Sequence, residues 1–390
     1  MEPTAAALEA LRLEGDPPAD PPVELTAAAL DALRLEGDPP ADDVVRHLFE
    51  SGRLSEVNRA LRSFDDNHQP VPDDLPGPLR AYLTETARLP AWTDRARLAG
   101  AYRFFLDDGL QVAVSLSIGA MVGSYAVPSG AKVLSATHRL HHPPRRMAET
   151  FQFVLYMMDD DPFGPDGNLI RAIQKVRLMH ASVRRLMVDS GTWDFEAFGE
   201  PINQEDMLCA MLLFSTVTLD GMARIGVVAE PEEAEDYYHL WRVVGAMLGI
   251  RPDVMPETIA EARALWERVL RPRMWGPTPE GVELTRCLIE RQQDGMPRAL
   301  QGVIPALVRQ IVGPEVAAWM EVPTSQWSRV VRMGAGLAGL LERAEDESRL
   351  AERALDRLGQ HMLRGQARKL CGVEQEFDIP AVLHHDASTT

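Results

Sequence analysis

The chain has 390 residues, of which 45% are apolar and 25% charged, and its formal net charge is -18 at pH 7. This composition is typical of a globular protein with a sizeable core. The acidic balance excludes nucleic acid and anionic membranes as default partners, because both are bound through basic surfaces.

The first element in chain order is a duplicated segment. Residues 4–20, "TAAALEALRLEGDPPAD", recur with one change as residues 26–42. Each copy is typical of one short helix followed by Gly and a Pro pair. Two copies are too few for a solenoid, so we predict that residues 1–42 form a helical arm beside the main domain.

The N-terminus and the cysteines bear on localisation. The first residues lack the basic and apolar regions of a signal peptide. Cys209, Cys287 and Cys371 lie far apart and form no metal-ligand spacing. A sparse, odd set of cysteines is typical of a reducing compartment, so we predict a cytoplasmic protein.

Beyond the arm, helical periodicity dominates and alternating strand patterns are hard to find. The pattern predicts one large all-α domain over residues 43–371, with a C-terminal tail at 372–390. The predicted helices lie at 97–108, 110–125, 146–158, 168–188, 204–225, 232–249, 257–269, 280–291, 298–311 and 326–363.

The longest uncharged stretch lies between Asp108 and Lys132 and is long enough to span a bilayer. Its Ser, Gly, Gln and Pro residues favour a buried core helix instead. We therefore predict no transmembrane segment.

Residues 135–154, "SATHRLHHPPRRMAETFQFV", hold the next candidate site. Arg146 and Thr150 are one turn apart on one face of a predicted helix. The nearby His138, His141 and His142 match neither a zinc-protease motif nor a facial triad, so the sequence gives little support for a metal cluster.

The stretch "QKVRLMHASVRR" places His180 on the apolar face of a predicted helix, with Arg177 and Arg184 on the flanks of that face. The face consists of Ile173, Val176, His180, Val183 and Met187. In one interpretation, His180 is structural and the arginines pair with distant carboxylates. In the other, His180 binds haem iron and the arginines bind the haem propionates.

The stretch "PINQEDMLCAMLLF" carries a helix start signal. Asn203 is predicted to be the N-cap, with Asp206 in the first turn. Glu205 and Asp206 are adjacent on this helix and point in different directions, which argues against a paired-acid catalytic site.

Several of these motifs together resemble the latex-clearing proteins (rubber oxygenases) and the mycophenolic-acid-type oxygenases. The matching stretches are "YAVPSGAKVLSATHRL", "RRMAET", "QKVRLMHASVRRLM" and "PINQEDMLCAMLLFSTVTLDG", in this order. The resemblance implies an all-α, globin-related core that binds haem b. Its members use dioxygen to cleave carbon–carbon double bonds in isoprenoid chains.

The resemblance also implies roles for individual residues. The axial iron ligand falls on His180, and the two flanking arginines of the family fall on Arg177 and Arg184. The arginine and threonine of the distal-side helix fall on Arg146 and Thr150.

Two positions depart from the rubber-cleaving pattern. Glu149 stands where those members carry a lysine that can act as a sixth iron ligand, so the distal site would be open or filled by water. The acidic residue proposed as a base falls near Gly130 and Ala131, where this chain has no carboxylate.

The sequence therefore predicts a haem b-dependent oxygenase that uses dioxygen on a small, apolar, unsaturated substrate such as a terpenoid or polyketide intermediate. The alternative is a haem protein without cleavage activity, either a sensor or a cyclisation or rearrangement enzyme. A helical interaction protein without cofactor is a third interpretation. The oligomeric state does not follow from the sequence.

Overall fold

The computed structural model describes residues 25–138, 152–294, 296–334 and 379–380. Within these ranges every regular element is helical and no strand occurs. The predicted all-α fold is confirmed.

The helices in chain order are α1 (Ala27–Leu33), α2 (Pro39–Ser51), α3 (Leu54–Arg62), α4 (Gly77–Glu85), α5 (Arg95–Val114), α6 (Met121–Tyr125), α7 (Pro128–His138), α8 (Leu169–Asp189), α9 (Phe195–Phe198), α10 (Gln204–Phe214), α11 (Thr216–Arg224), α12 (Pro231–Met247), α13 (Ile259–Leu265), α14 (Arg271–Met274), α15 (Pro279–Gln293) and α16 (Val303–Trp319). Residues 152–157 and 328–334 are also helical.

The centre of the fold is the packing of α5 against α12. Phe104 and Phe105 contact the ring of Tyr237 edge-on, at centroid distances of 5.6 and 5.8 Å. All three side chains are almost fully buried, and such aromatic pairs add to the stabilisation from buried area. Gly100 permits the close approach, because a Cβ there would overlap the carboxylate of Asp236.

The long uncharged stretch is a core element. Helix α5 continues through a π-helical turn at Ser115–Ala120 into α6, with a kink at Asp108 where the sequence predicts a helix boundary. Arg95–Tyr125 and Gln204–Arg224 are both apolar and long enough to cross a membrane, but 56% and 67% of their most apolar windows are buried inside the protein. That burial is typical of core helices; the absence of a transmembrane segment stays a prediction.

The second copy of the duplicated segment packs on the main domain. Leu30 and Leu33 of α1 join the largest hydrophobic core. Helix α2 begins at Pro39 and crosses the boundary predicted between residues 42 and 43. The Pro pair thus starts α2 instead of only ending α1, because proline fits the first turn of a helix, where an N–H has no partner. The first copy, 4–20, and the predicted tail from 372, apart from 379–380, lie outside the described residues.

His239 on α12 is a buried histidine with a structural role. Its Nε2 accepts a hydrogen bond from the backbone N–H of Asp94 at 3.0 Å, and its ring contacts Trp92 edge-on. Burial, together with the nearby charges of Arg97 and Arg242, lowers the pKa of His239 to about 4, although Asp94 acts in the opposite direction. The folded protein therefore keeps this ring neutral.

We expect His239 to make the protein acid-sensitive. Between about pH 6.5 and 4 the unfolded chain binds a proton that the folded chain does not, so stability is lost as the pH falls through this window. His239→Gln keeps an acceptor and removes the titration, so the free energy of unfolding should fall less between pH 6.5 and 4. Urea unfolding at several pH values measures this, with the exposed His47→Gln as control. An unchanged pH profile in His239→Gln would contradict the assignment.

Candidate functional site

A cavity of about 320 Å³ lies among α6, α7, α8, α10 and α12. Its volume is within the range of small-molecule sites, and most of its lining is aliphatic, aromatic or sulfur-containing. The lining residues are Met121, Ser124, Tyr125, Val127, Gly130, Val133, Leu134, Phe153, Val154, Val176, Met179, His180, Ile202, Asp206, Met207, Cys209, Ala210, Met211, Leu213, Phe214, Trp241, Gly245, Leu248, Ile250 and Leu284.

His180 lies in the wall of this cavity, on the face of α8 that the spacing of its apolar residues predicts. Val176 and His180, one turn apart on α8, both line the cavity. On the same face, Ile173 packs in the main core, and Val183 packs in a smaller cluster at the other end of the helix. His180 therefore lies between two packed clusters on one face of α8, where the helix borders the apolar cavity.

Arg177 has a protein partner. Its Nε and Nη2 donate to both carboxylate oxygens of Asp38, at 2.5 and 2.7 Å, and Nη1 donates to the carbonyl of Met247. Asp38 is 2% exposed, so this bidentate pair is buried. Gly249, with φ +99°, packs against the pair, where a Cβ would lie within 3 Å of both side chains.

Arg184 is held in a similar way on the other side of His180. Its Nε donates to the carboxylate of Asp42 at 3.0 Å, and its Nη1 donates to the carbonyls of Pro201 and Ile202. The guanidinium groups of Arg177 and Arg184 thus bind the N-terminal segment, and neither side chain lines the cavity. A guanidinium at the core boundary needs a nearby anion, and Asp38 and Asp42 supply it here. That the two arginines bind haem propionates stays a prediction.

The start of α10 matches its prediction. The Asn203 side chain accepts from the N–H of Asp206 at 2.9 Å, and Asp206 accepts in return from the N–H of Asn203 at 3.4 Å. The predicted N-cap is therefore confirmed as a capping box. The two adjacent acids do point apart: Glu205 pairs with Arg273 and Arg34, while Asp206 reaches the cavity.

Asp206 is also a cavity residue, which the sequence did not indicate. The hydroxyl of Ser129 on α7 donates to its Oδ1 at 2.6 Å. Burial raises the pKa of Asp206 to about 6, although the hydrogen bonds from Ser129 and Asn203 act in the opposite direction. The only cue in the sequence was the capping motif, which says nothing about a contact with α7.

Three predicted site residues, Arg146, Glu149 and Thr150, lie outside the described residues, so their placement stays a prediction. The same holds for His141 and His142. Gly130, near the position of the missing base, lines the cavity and presents no side chain to it, and Ala131 is fully buried.

The donor set of the cavity fits a haem. The described residues contain no group of three or more His, Cys, Asp or Glu side chains that could hold a metal ion by themselves. His180 is the one imidazole among the described lining residues, and the apolar wall around it suits a porphyrin. Cys209 also lines the cavity, but burial raises the pKa of its thiol, which keeps it protonated and a poor ligand. A metal that takes one imidazole and brings its own macrocycle is what these residues can accommodate.

The fold and the cavity define a helical protein with an internal apolar binding site and a single imidazole in its wall. The comparison with known proteins is more specific. Residues 102–377 match the family model described as "ER-bound oxygenase mpaB/B'/Rubber oxygenase, catalytic domain", and the chain belongs to this oxygenase family.

Individual relatives agree with the family match. The rubber oxygenase of Streptomyces sp. (strain K30) is 31% identical over 278 residues, which cover 70% of this chain and 67% of that protein. The solved structure described as "Latex Clearing Protein LCP in the closed state" superposes with a TM-score of 0.73 at 26% identity, covering 87% of this chain and 91% of that chain. The resemblance in the sequence motifs is therefore confirmed.

Proposed function

We propose that the chain is a haem b-dependent oxygenase in which His180 is the axial ligand of the iron. The observation that carries the proposal is the position of His180 in the wall of an apolar cavity, in a chain that belongs to an oxygenase family. When bound, the haem would supply the iron at which dioxygen reacts. The lining residues would exclude water and hold an apolar substrate beside it.

The arginines on α8 act indirectly in this proposal. Arg177 lies three residues before His180 and Arg184 four residues after it, and both are tied to α2 or the residue just before it. These two ion pairs fix α8 on both sides of the imidazole. A metal site needs supporting residues that hold the helix carrying its ligand, here α8 with His180, in a fixed position.

We propose a small, apolar, unsaturated substrate, such as a terpenoid or polyketide intermediate, with dioxygen as co-substrate in the cytoplasm. The size and apolar lining of the cavity support such a molecule. The relatives are named for rubber and latex, but this chain lacks the acidic residue near Gly130, and Gly130 itself leaves the cavity wall without a side chain at that point.

The test of the proposed function is an absorption spectrum of the purified protein, oxidised, reduced, and reduced with carbon monoxide or oxygen. A Soret band that shifts with carbon monoxide is expected. Oxygen uptake with unsaturated terpenoids, coupled to carbonyl products, would establish the oxygenase. A haem spectrum without uptake on any olefin would favour the alternative, a haem protein without cleavage activity.

Filling the cavity should block binding without harming the fold. A Cβ at Gly130 would meet its nearest neighbours at 3.7–3.8 Å, which is ordinary contact, so Gly130→Leu should fold and direct its added bulk into the cavity. Overpacking a bound ligand by this volume costs about 1–3 kcal/mol, so affinity for haem or substrate should fall about 10-fold or more. Titration of the wild type and Gly130→Leu with hemin measures this change in affinity, with Gly130→Ala as control. Equal affinities in all three proteins would exclude the cavity as the binding site.

A further inference from the structure

The wall of the cavity contains one carboxylate among its described residues, Asp206, and no lysine or arginine. Asp206 is half-buried and is one of the residues that line the cavity. A carboxylate on an apolar wall is costly unless hydrogen-bond donors satisfy it. The donors available to Asp206 therefore indicate what the cavity is built to hold.

The protein supplies two donors. The hydroxyl of Ser129, which is 7% exposed, donates to Oδ1 at 2.6 Å. The backbone N–H of Asn203 donates to Oδ2 at 3.4 Å, which is long for a bond of this type. A carboxylate has about four acceptor positions, so these two bonds leave capacity for a further donor from the cavity side.

Two other polar groups of the wall, the side chains of Ser124 and Cys209, differ from Asp206. The hydroxyl of Ser124 donates to the carbonyl of Met121 within its own turn, at 2.7 Å. The thiol of Cys209 is a weak donor. The strongest acceptor that the described wall presents to a ligand is therefore Asp206, positioned by a hydroxyl from a second helix.

We propose that Asp206 accepts a hydrogen bond from a hydroxyl group of an otherwise apolar substrate, so that the substrate class is an apolar alcohol and not a hydrocarbon. This inference rests on the proposed function, in which the cavity holds the substrate. A hydrocarbon in the cavity would desolvate the carboxylate without replacing its donors, whereas a hydroxyl would satisfy it. A hydrogen bond to a charged group contributes about 1.5–3 kcal/mol, so an alcohol should bind about 10- to 100-fold more tightly than its methyl ether.

The experiment compares geraniol with geranyl methyl ether, which keeps the carbon chain and the oxygen and lacks the donor. Affinities are measured by isothermal titration calorimetry at pH 8, with the haem content of each sample recorded from its absorption spectrum. The wild type should prefer geraniol at least about 10-fold. Asp206→Leu should lose the preference, and Asp206→Asn, which keeps the capping geometry, should reduce it.

Ser124→Ala is the matched control, because it removes a cavity hydroxyl that is already bonded to its own helix. It should keep the preference. Equal affinities for the two probes in the wild type, an unchanged preference in Asp206→Asn and Asp206→Leu, or no binding of either probe would overturn the inference. A haem spectrum without the preference would reject this inference alone. The preference without a haem spectrum would reject the proposed cofactor and keep the alcohol site.

Discussion

Replacing His180 by alanine should abolish stable haem binding. His180 is the one imidazole among the described cavity residues, and the neighbouring thiol of Cys209 stays protonated. The described lining therefore offers no second imidazole and no thiolate as a substitute ligand. Because losing even an outer-shell partner costs a metal site 10- to 100-fold, loss of the ligand itself should lower affinity more than about 100-fold. Hemin titration followed at the Soret band measures the change.

Two further variants make the result specific to the ligand. His239→Gln removes a buried histidine that does not line the cavity, so it should keep full haem occupancy. His180→Gly leaves space for free imidazole, which should restore the spectrum when it is added in excess. Full haem occupancy in His180→Ala, with an unchanged spectrum, would end the assignment of His180 as the axial ligand.

Periodicity predicted the helical class because apolar residues recur at three- and four-residue spacing through most of the chain. It did not predict where long helices bend. Residues 204–225 read as one helix, yet α10 ends before Ser215, whose backbone leaves the helical region and whose hydroxyl bonds the carbonyl of Met211. A serine hydroxyl that bonds the carbonyl four residues earlier weakens a helix and often bends it, and tertiary packing determines whether the bend forms.

The candidate site shows the same limit. The face of α8 on which His180 lies follows from the spacing of the neighbouring apolar residues, which is a local property of the sequence. The role of Asp206 depends on a contact with Ser129, 77 residues earlier in the chain, and no spacing rule predicts that contact. The capping box explains the hydrogen bonds between Asp206 and Asn203, but it does not explain why the same carboxylate also lines the cavity.

The partners of the arginines were the least predictable feature. The sequence left open whether Arg177 and Arg184 bind distant carboxylates or a ligand. Asp38 and Asp42 lie about 140 residues away, in a segment that the duplication suggested was peripheral. They also precede residues 102–377, the part of the chain that matches the family model. The N-terminal segment is thus a support of the His180 helix that the family match alone does not include.

Replacing Asp38 by asparagine should be the most destabilising change in this support. It leaves the charge of Arg177 buried without its anion, and such a loss costs about 3–5 kcal/mol. Asp42→Asn should cost less, because Asp42 is more exposed and Arg184 keeps its bonds to two carbonyls. Urea unfolding of the haem-free proteins measures both effects, with Asp43→Asn as control, since Asp43 forms an exposed pair with Arg46 on the same helix.

The double variant Asp38→Asn with Arg177→Met separates the ion pair from local packing. Removing the unpaired charge should recover part of the stability lost in Asp38→Asn, because replacing both partners avoids leaving a buried charge. If the His180 helix depends on this pair, Asp38→Asn should also release haem faster to an excess of apomyoglobin, while Asp43→Asn should not. A stability equal to wild type in Asp38→Asn would show that the N-terminal segment does not hold the helix. A loss of stability with an unchanged rate of haem release would separate the support of the fold from the support of the ligand.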